Sequence, residues 1–262
     1  MSMFSPVFFG GIRAPLRSAL AGVLAASLLS GCSLLPSRPA FERPDAVSLF
    51  SQATPGEPHP LTWQPMIITR FNKLTEYTIV DHDGERVLRA RAAKSASGLV
   101  QDVAIDPQRY AIVSWRWKAM NALPEANLAR AGMDDSPARL IVGFDGPLEK
   151  LDIEDRAMAS MVKLISGREM PYASLIYAWE GKLRPGTVID NPHSSRAKII
   201  IVESGEANVG QWRSFRRNIV EDFRRAFGEA PGKIISVAVG TDTNRTESDA
   251  VTYYGDIRIN AD

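Results

Sequence analysis

The sequence predicts a mainly β protein, an antiparallel β-sandwich of jelly-roll-like layout with two inserted α-helices. Three observations carry that prediction. About nine or ten short runs rich in β-branched and aromatic residues recur along the chain, separated by Gly, Pro, Asn and Asp. Helical periodicity occurs in only two stretches, 152–166 and 215–227. Strands and helices therefore do not alternate in the way a doubly wound parallel sheet requires.

Composition narrows the function classes. The 262 residues suffice for one large domain or two small ones. An apolar content of 45% and a charged content of 23% are those of an ordinary globular chain. The formal charge is +1, basic residues are dispersed and no nucleic-acid motif is present, so no nucleic-acid partner is expected, a patch on the Arg216–Arg225 face being the less favoured alternative to a solvated one. Three histidines and one cysteine leave little material for a zinc centre.

Taken in order, the chain opens with Arg13 and Arg17 ahead of an apolar run, Ala19 to Leu29, that is too short to span a bilayer. The run ends Leu29-Ser30-Gly31-Cys32, which resembles a bacterial lipobox. Residues 1–31 are read as a lipoprotein signal peptide and Cys32 as the lipidation site, with the membrane a partner through that lipid. No disulfide competes for Cys32, because the chain has no other cysteine. Ser33 follows it where Asp would retain a lipoprotein at the inner membrane, so the expected location is the outer membrane, facing the periplasm. Cleavage would change the formal charge from +1 to −1. Six prolines between Ser33 and Pro60 make 32–60 an extended tether. Within it, Asp45 to Phe50 could dock on the domain. The β-sandwich domain is placed at 61–262.

The first strong structural signal in that domain is a hairpin. Tyr77 to Val80 and Arg86 to Ala92 flank Asp81-His82-Asp83-Gly84, with Asp-Gly at the turn. Arg89 and Arg91 share the polar face of its second strand. Tyr110 to Lys118 alternates Ala111, Val113, Trp115 and Trp117 on one face with Ser114, Arg116 and Lys118 on the other. The two tryptophans thus read as core. A long polar loop, Asn121 to Pro137, precedes the strand Arg139 to Phe144, and loops of that length are often functional. Asp152 to Ser166 reads as a helix closed by Gly167, with Ile153, Ala157, Met161, Leu164 and Ile165 as its core-facing stripe. Strands follow at Ser174 to Trp179 and Lys198 to Val202. A second helix is carried by Phe215, Ile219, Val220, Phe223 and Phe227 and closed by Gly228. Arg216, Arg217, Arg224 and Arg225 lie on its other side, a solvated face with Glu221 and Arg225 at pairing distance. Two closing runs, Ile234 to Gly240 and Ala250 to Ile259, flank a loop crowded with oxygen-bearing side chains.

The candidate ligand-binding residues are Asp134, Asp135, Arg139, Tyr177, Trp179, Asp242, Asn244 and Asp256. Asp134 and Asp135 could bind a cation or sugar hydroxyls at a rim, or could cap turns and pair with Arg139. Hard cations favour several oxygen ligands, so a structural calcium at Asp242, Asn244 and Asp249 is one expectation, and turn formation by the same residues is the other. An EF-hand is excluded, because Glu247 and Tyr253 stand where its glycine and last glutamate belong. Trp115, Trp117, Trp179 and Trp212 could stack on a sugar ring, with Trp179 and the nearby Tyr172 and Tyr177 the better candidates. His193 lies beside Ser194 and Ser195, but no nucleophile elbow, phosphate loop, dinucleotide fingerprint or zinc-protease motif is present. Glu180, Glu203, Asp134 and Asp135 could pair as glycosidase carboxylates do.

A family resemblance runs through roughly Trp63 to Asn260. It is carried by Ser114-Trp115-Arg116-Trp117-Lys118, by Asp134-Asp135 followed by Ala138-Arg139-Leu140, and by Tyr177-Ala178-Trp179. It continues in Val202-Glu203-Ser204-Gly205, Arg217-Asn218, Ala226-Phe227-Gly228, Thr241-Asp242-Thr243-Asn244 and Tyr254-Gly255-Asp256-Ile257. In this order the segments resemble the bacterial domain of unknown function 3047 family. The resemblance implies an envelope protein and supplies no catalytic residues. The terminal strands also resemble those closing carbohydrate-binding, concanavalin-like jelly rolls. Three readings follow: a non-catalytic module binding an envelope saccharide or other polar ligand, a glycan hydrolase or lyase using two carboxylates, and a structural module with a protein partner.

Overall fold

The structure is a computed structural model that describes residues 46–261 other than 68 and 70. The signal peptide, Cys32 and the first part of the tether lie outside the described residues. In chain order the strands are β1 (Gln64–Met66), β2 (Glu76–His82), β3 (Glu85–Ala93), β4 (Ala96–Ile105), β5 (Ile112–Ala119) and β6 (Ser136–Phe144). They continue with β7 (Ala173–Glu180), β8 (Val188–Asn191), β9 (Ser194–Ser204), β10 (Arg213–Asn218), β11 (Ile234–Asp242), β12 (Asp249–Tyr254) and β13 (Arg258–Asn260). Helix α1 (Ile153–Ser166) lies between β6 and β7, and α2 (Ile219–Phe227) between β10 and β11.

The strands form the expected two-sheet sandwich. The first sheet has the order β1-β4-β11-β6-β7-β9-β8, and the second β10-β5-β12-β3-β2 with β13 also paired to β5. One pairing departs from the antiparallel expectation: β7 and β9 run parallel. The chain between them makes a crossover that includes β8, which then pairs antiparallel to β9 at the sheet edge.

Between the sheets lies one core. Strand alternation sends Val113, Trp115 and Trp117 of β5, Leu140, Val142 and Phe144 of β6, and Val237 and Val239 of β11 into it. Trp115 is the hub of an aromatic cluster, with ring centroids 4.9 Å from Tyr177 and 5.0 Å from Phe215. Burying each such side chain contributes roughly 1.5–3 kcal/mol. The last apolar run is not one strand. β12 places Thr252 and Tyr254 inward, pairing stops at Tyr254, and β13 resumes on β5 after Gly255, Asp256 and Ile257.

Four further features extend or modify the sequence reading. The packed unit reaches back to Val47, ahead of residue 61: Phe50 and Trp63 are fully buried with rings 5.0 Å apart. Gly56 and Glu57 exchange backbone hydrogen bonds with Ile79, covering the free edge of β2. The long loop before β6 also has a packing role, since Leu128 is fully buried over Ile176, Ala178, Ile199 and Ile201 on the outer face of the first sheet. Finally, α1 has the expected Asp152 N-cap and left-handed Gly167 C-cap, but its stripe faces away from the core, with Ile153 80% and Leu164 82% exposed. α2 begins at Ile219 rather than Phe215, because Phe215 to Asn218 pair with β5; Asn218 caps the helix by accepting from Val220 and Glu221.

Candidate functional site

The outer face of the second sheet is built by the same alternation that fills the core. With Trp115 and Trp117 inward, Ser114, Arg116 and Lys118 of β5 point outward. On β10, Phe215 opposes Trp115, so Ser214 and Arg216 stand beside Arg116 and Ser114 on the outer side. Tyr253 of β12 sits opposite Lys118. The β2–β3 turn at Asp83-Gly84, both with positive φ, brings the hairpin tip onto this face. There Asp83 accepts from Lys118 at 2.9 Å and from Trp212 at 3.0 Å. These two donors hold the Asp83 carboxyl below the usual carboxylate range. His82 stacks on Tyr253 with centroids 3.7 Å apart, and the Arg116 guanidinium lies 4.6 Å over Trp212.

Where β12 ends at Tyr254, β3 and β5 lose the strand between them and a cavity of about 360 Å³ opens. It is lined by the polar residues Ser51, Glu85, Arg86, Ser114, Arg116, Ser214, Asp256 and Arg258, together with Trp115 and Phe215. Arg116 pairs with Glu85. Asp256 accepts from the Ser51 amide at 3.0 Å, the Ser51 hydroxyl at 2.8 Å and Arg258 at 2.9 Å. Gly255 makes the geometry feasible: its amide bonds to the Arg116 carbonyl, and a Cβ there would fall 2.7 Å from Cγ and Nε of Arg116. We expect Gly255→Ala to displace the Arg116 side chain and weaken ligand binding, with the Trp212 contribution to the near-UV circular dichroism reporting the shift.

The rim residues named from sequence come together but are occupied by one another. Asp135 accepts from the Arg245 amide at 2.9 Å and from the Thr246 amide and hydroxyl at 2.6 and 2.7 Å, so it pins the 242–249 loop. Asp242 pairs with Arg139 at 3.3 Å and accepts from the Ser136 amide at 3.0 Å. Asp134 accepts from His193 at 2.9 Å; burial opposes its charge, but His193 and Arg139 outweigh that and lower its pKa. Tyr177 and Trp179 are fully buried core residues rather than platforms. Among the described residues no group of three or more His, Cys, Asp or Glu is placed to hold a metal ion, and the Asp242 carboxylate is engaged by Arg139 and the Ser136 amide.

Burial, together with the neighbouring charges of Asp135 and Asp134, pushes Asp242 up to about 6 despite Arg139 and the Ser136 amide. Its folded-state pKa lies above its ordinary value, so the folded state favours the protonated form. The stability this residue contributes is complete below about pH 4 and is lost as pH rises through 6, on the order of 3 kcal/mol in all. Urea denaturation midpoints measured from pH 4 to pH 7 should show that decline, and Asp242→Asn should remove it. A variant whose slope matches the parent would locate the titration elsewhere.

Of the candidate ligand-binding residues, Asp256 alone lines the cavity. Ser51, Glu85, Arg86, Ser214 and Arg258 were missed, whereas Trp212, one of the possible stacking rings, lies against Arg116 of the cavity lining. The available signal was the polar face shared by Ser114, Arg116 and Lys118 with Arg89 and Arg91, which marked this outer face as charged along its length.

Comparison with known proteins adds the following. The family model described as "Protein of unknown function (DUF3047)" matches residues 61–258. No curated protein matches the chain. Among solved structures, the chain is similar to a family 11 carbohydrate-binding module from Clostridium thermocellum in complex with a β-1,3-1,4-mixed-linked tetrasaccharide. That likeness has 11% identity and a TM-score of 0.40, over 84% of this chain and 96% of that one. A second similar structure is the cellulose induced protein Cip1, at 12% identity and a TM-score of 0.29, over 75% of this chain and 89% of that one.

Proposed function

We propose, for a chain that belongs to the DUF3047 family, a non-catalytic binding module for a hydroxyl-rich polar ligand, an envelope saccharide, anchored at the outer membrane by a lipid on Cys32. The observation that carries this reading is the cavity where β12 ends. Each sugar hydroxyl both donates and accepts, so its recognition calls for a wall that alternates the two. Ser51, Ser114 and Ser214 do both, Arg86, Arg116 and Arg258 donate, and Glu85 and Asp256 accept. Its volume of about 360 Å³ falls in the small-molecule range of about 300–1,000 Å³. Tyr253 and Trp212 beside it offer flat rings to the C–H face of a sugar.

The two-carboxylate hydrolase reading draws less support. Glu180 accepts from the Lys182 and Leu183 amides, Glu203 holds Arg213 and Asn208, and Asp134 and Asp135 are engaged as described above. The test is calorimetric titration of the full chain with oligosaccharides derived from lipopolysaccharide and from peptidoglycan. Binding by the parent is expected. Arg116→Ala should weaken it roughly 10–100-fold, the loss of one charged hydrogen bond. Failure of every oligosaccharide to bind, or binding unchanged in both Arg116→Ala and Asp256→Asn, would refute the reading.

A further inference from the structure

Of the eight large apolar side chains exposed among the described residues, four belong to α1 or the turn before it, the others being Leu61, Phe71, Leu74 and Met120. Leu148, Ile153, Met161 and Leu164 lie in or just before α1, and Leu61 and Phe71 bracket β1. Ile153, Ala157, Met161 and Leu164 form a single helical stripe, with Ile153 80%, Met161 50% and Leu164 82% exposed. Patches of this kind mark interaction sites rather than idle surface.

Hydrogen bonds fix where the stripe sits. Ser194 and Ser195 of β9 donate to Asp155 in the first turn of α1, each at 2.6 Å. Just past the other end of the helix, Arg168 bonds to Asp102 of β4 and to Gln64 of β1. Leu99, Val103 and Ile105 face the core, so Asp102 faces outward. The helix therefore lies over the outer side of the first sheet, on the opposite face of the sandwich from the cavity. The described chain begins at the same stretch of β4 but on its inner side: Gln101, which is 1% exposed and alternates with Asp102, donates to the carbonyl of Ala46 at 3.1 Å.

We propose that the apolar stripe of α1 docks on the lipid bilayer, lying in the interface with the cavity turned away from the membrane. The segment from Cys32 to Ala46 spans at most about 50 Å. A lipid on Cys32 therefore keeps the root of the domain, and the end of α1 on the other side of β4 from it, within reach of the membrane surface. Among the described residues no helix is long and apolar enough to cross a membrane, and a short amphipathic helix buries its apolar face along the surface instead. The inference rests on the lipid at Cys32 from the proposed function and is independent of the ligand.

Lipid-modified full chain extracted from producing cells would be reconstituted into phosphatidylethanolamine–phosphatidylglycerol vesicles. It would carry a photoreactive benzophenone amino acid at Leu164 or, as control, at the exposed Arg91 on the opposite face. Irradiation should give a phospholipid adduct at 164 and none at 91. Ile153→Glu should reduce the adduct at 164 roughly tenfold, through loss of one buried apolar side chain. A chain that floats with the vesicles but gives no lipid adduct at 164, or gives a crosslinked dimer, overturns the docking and leaves the anchor standing. A chain that fails to float overturns both.

Discussion

Replacing Asp222 by alanine should destabilise the fold by about 3–5 kcal/mol, from a buried hydroxyl left without an acceptor and the loss of charged hydrogen bonds to Arg217. Asp222 is only 4% exposed on α2, where it accepts from Tyr177 at 2.9 Å and from Arg217 Nε at 2.8 Å. Alanine would leave the guanidinium unpaired and strand the Tyr177 hydroxyl in the core without an acceptor. The hydroxyl cannot relieve this by ionising, because burial, the largest cause of its raised pKa, persists without Asp222. Asp222→Asn keeps an acceptor and should cost less. Urea denaturation of both variants checks the order. An alanine variant within about 1 kcal/mol of the parent would mean that α2 is held by its apolar residues Ile219, Val220 and Phe223 alone.

Trp179→Ala should be comparably damaging, at about 3–5 kcal/mol for a large buried aromatic. The indole is fully buried and its Nε1 donates to the Gly205 carbonyl at 3.0 Å, so the substitution opens a cavity and orphans an acceptor. Saccharide binding per folded molecule should be unchanged. A ligand-stacking role, the expectation from sequence, would show the reverse pattern: stability kept and binding lost. Denaturation and titration of the same preparation separate the two.

The architecture was legible because period-2 alternation is a local signal. Val113, Trp115 and Trp117 declared their face, Asp83-Gly84 declared its turn, and Gly167 and Gly228 stopped both helices in the left-handed conformation. The site was much less legible. It forms from strand ends far apart in sequence, Glu85 on β3 with Ser214 on β10 and Arg258 on β13, and no local pattern states which ends meet. Polarity in loops misled for the same reason. Asp135 and Asp242 carry ligand-like side chains, but their partners, Thr246 and Arg139, become evident only once the two loops are folded together. The α1 stripe had the right period, and periodicity alone does not say whether an apolar face meets a core or is left open to an outside partner.

The segment 47–63 gives the molecule a mechanical property. Phe50 is seated in the core, and the next residue, Ser51, holds Asp256 in the cavity lining through its amide and its hydroxyl. Tension on the chain ahead of Val47 is resisted first by the Gln101 bonds to Ala46 and Ser48, then by Phe50 and that carboxylate. A pull strong enough to unseat the ring would strip part of the lining from the cavity before either sheet yielded. Load on the tether and grip on a ligand would then oppose each other, and a fragment trimmed at residue 61 would lack both.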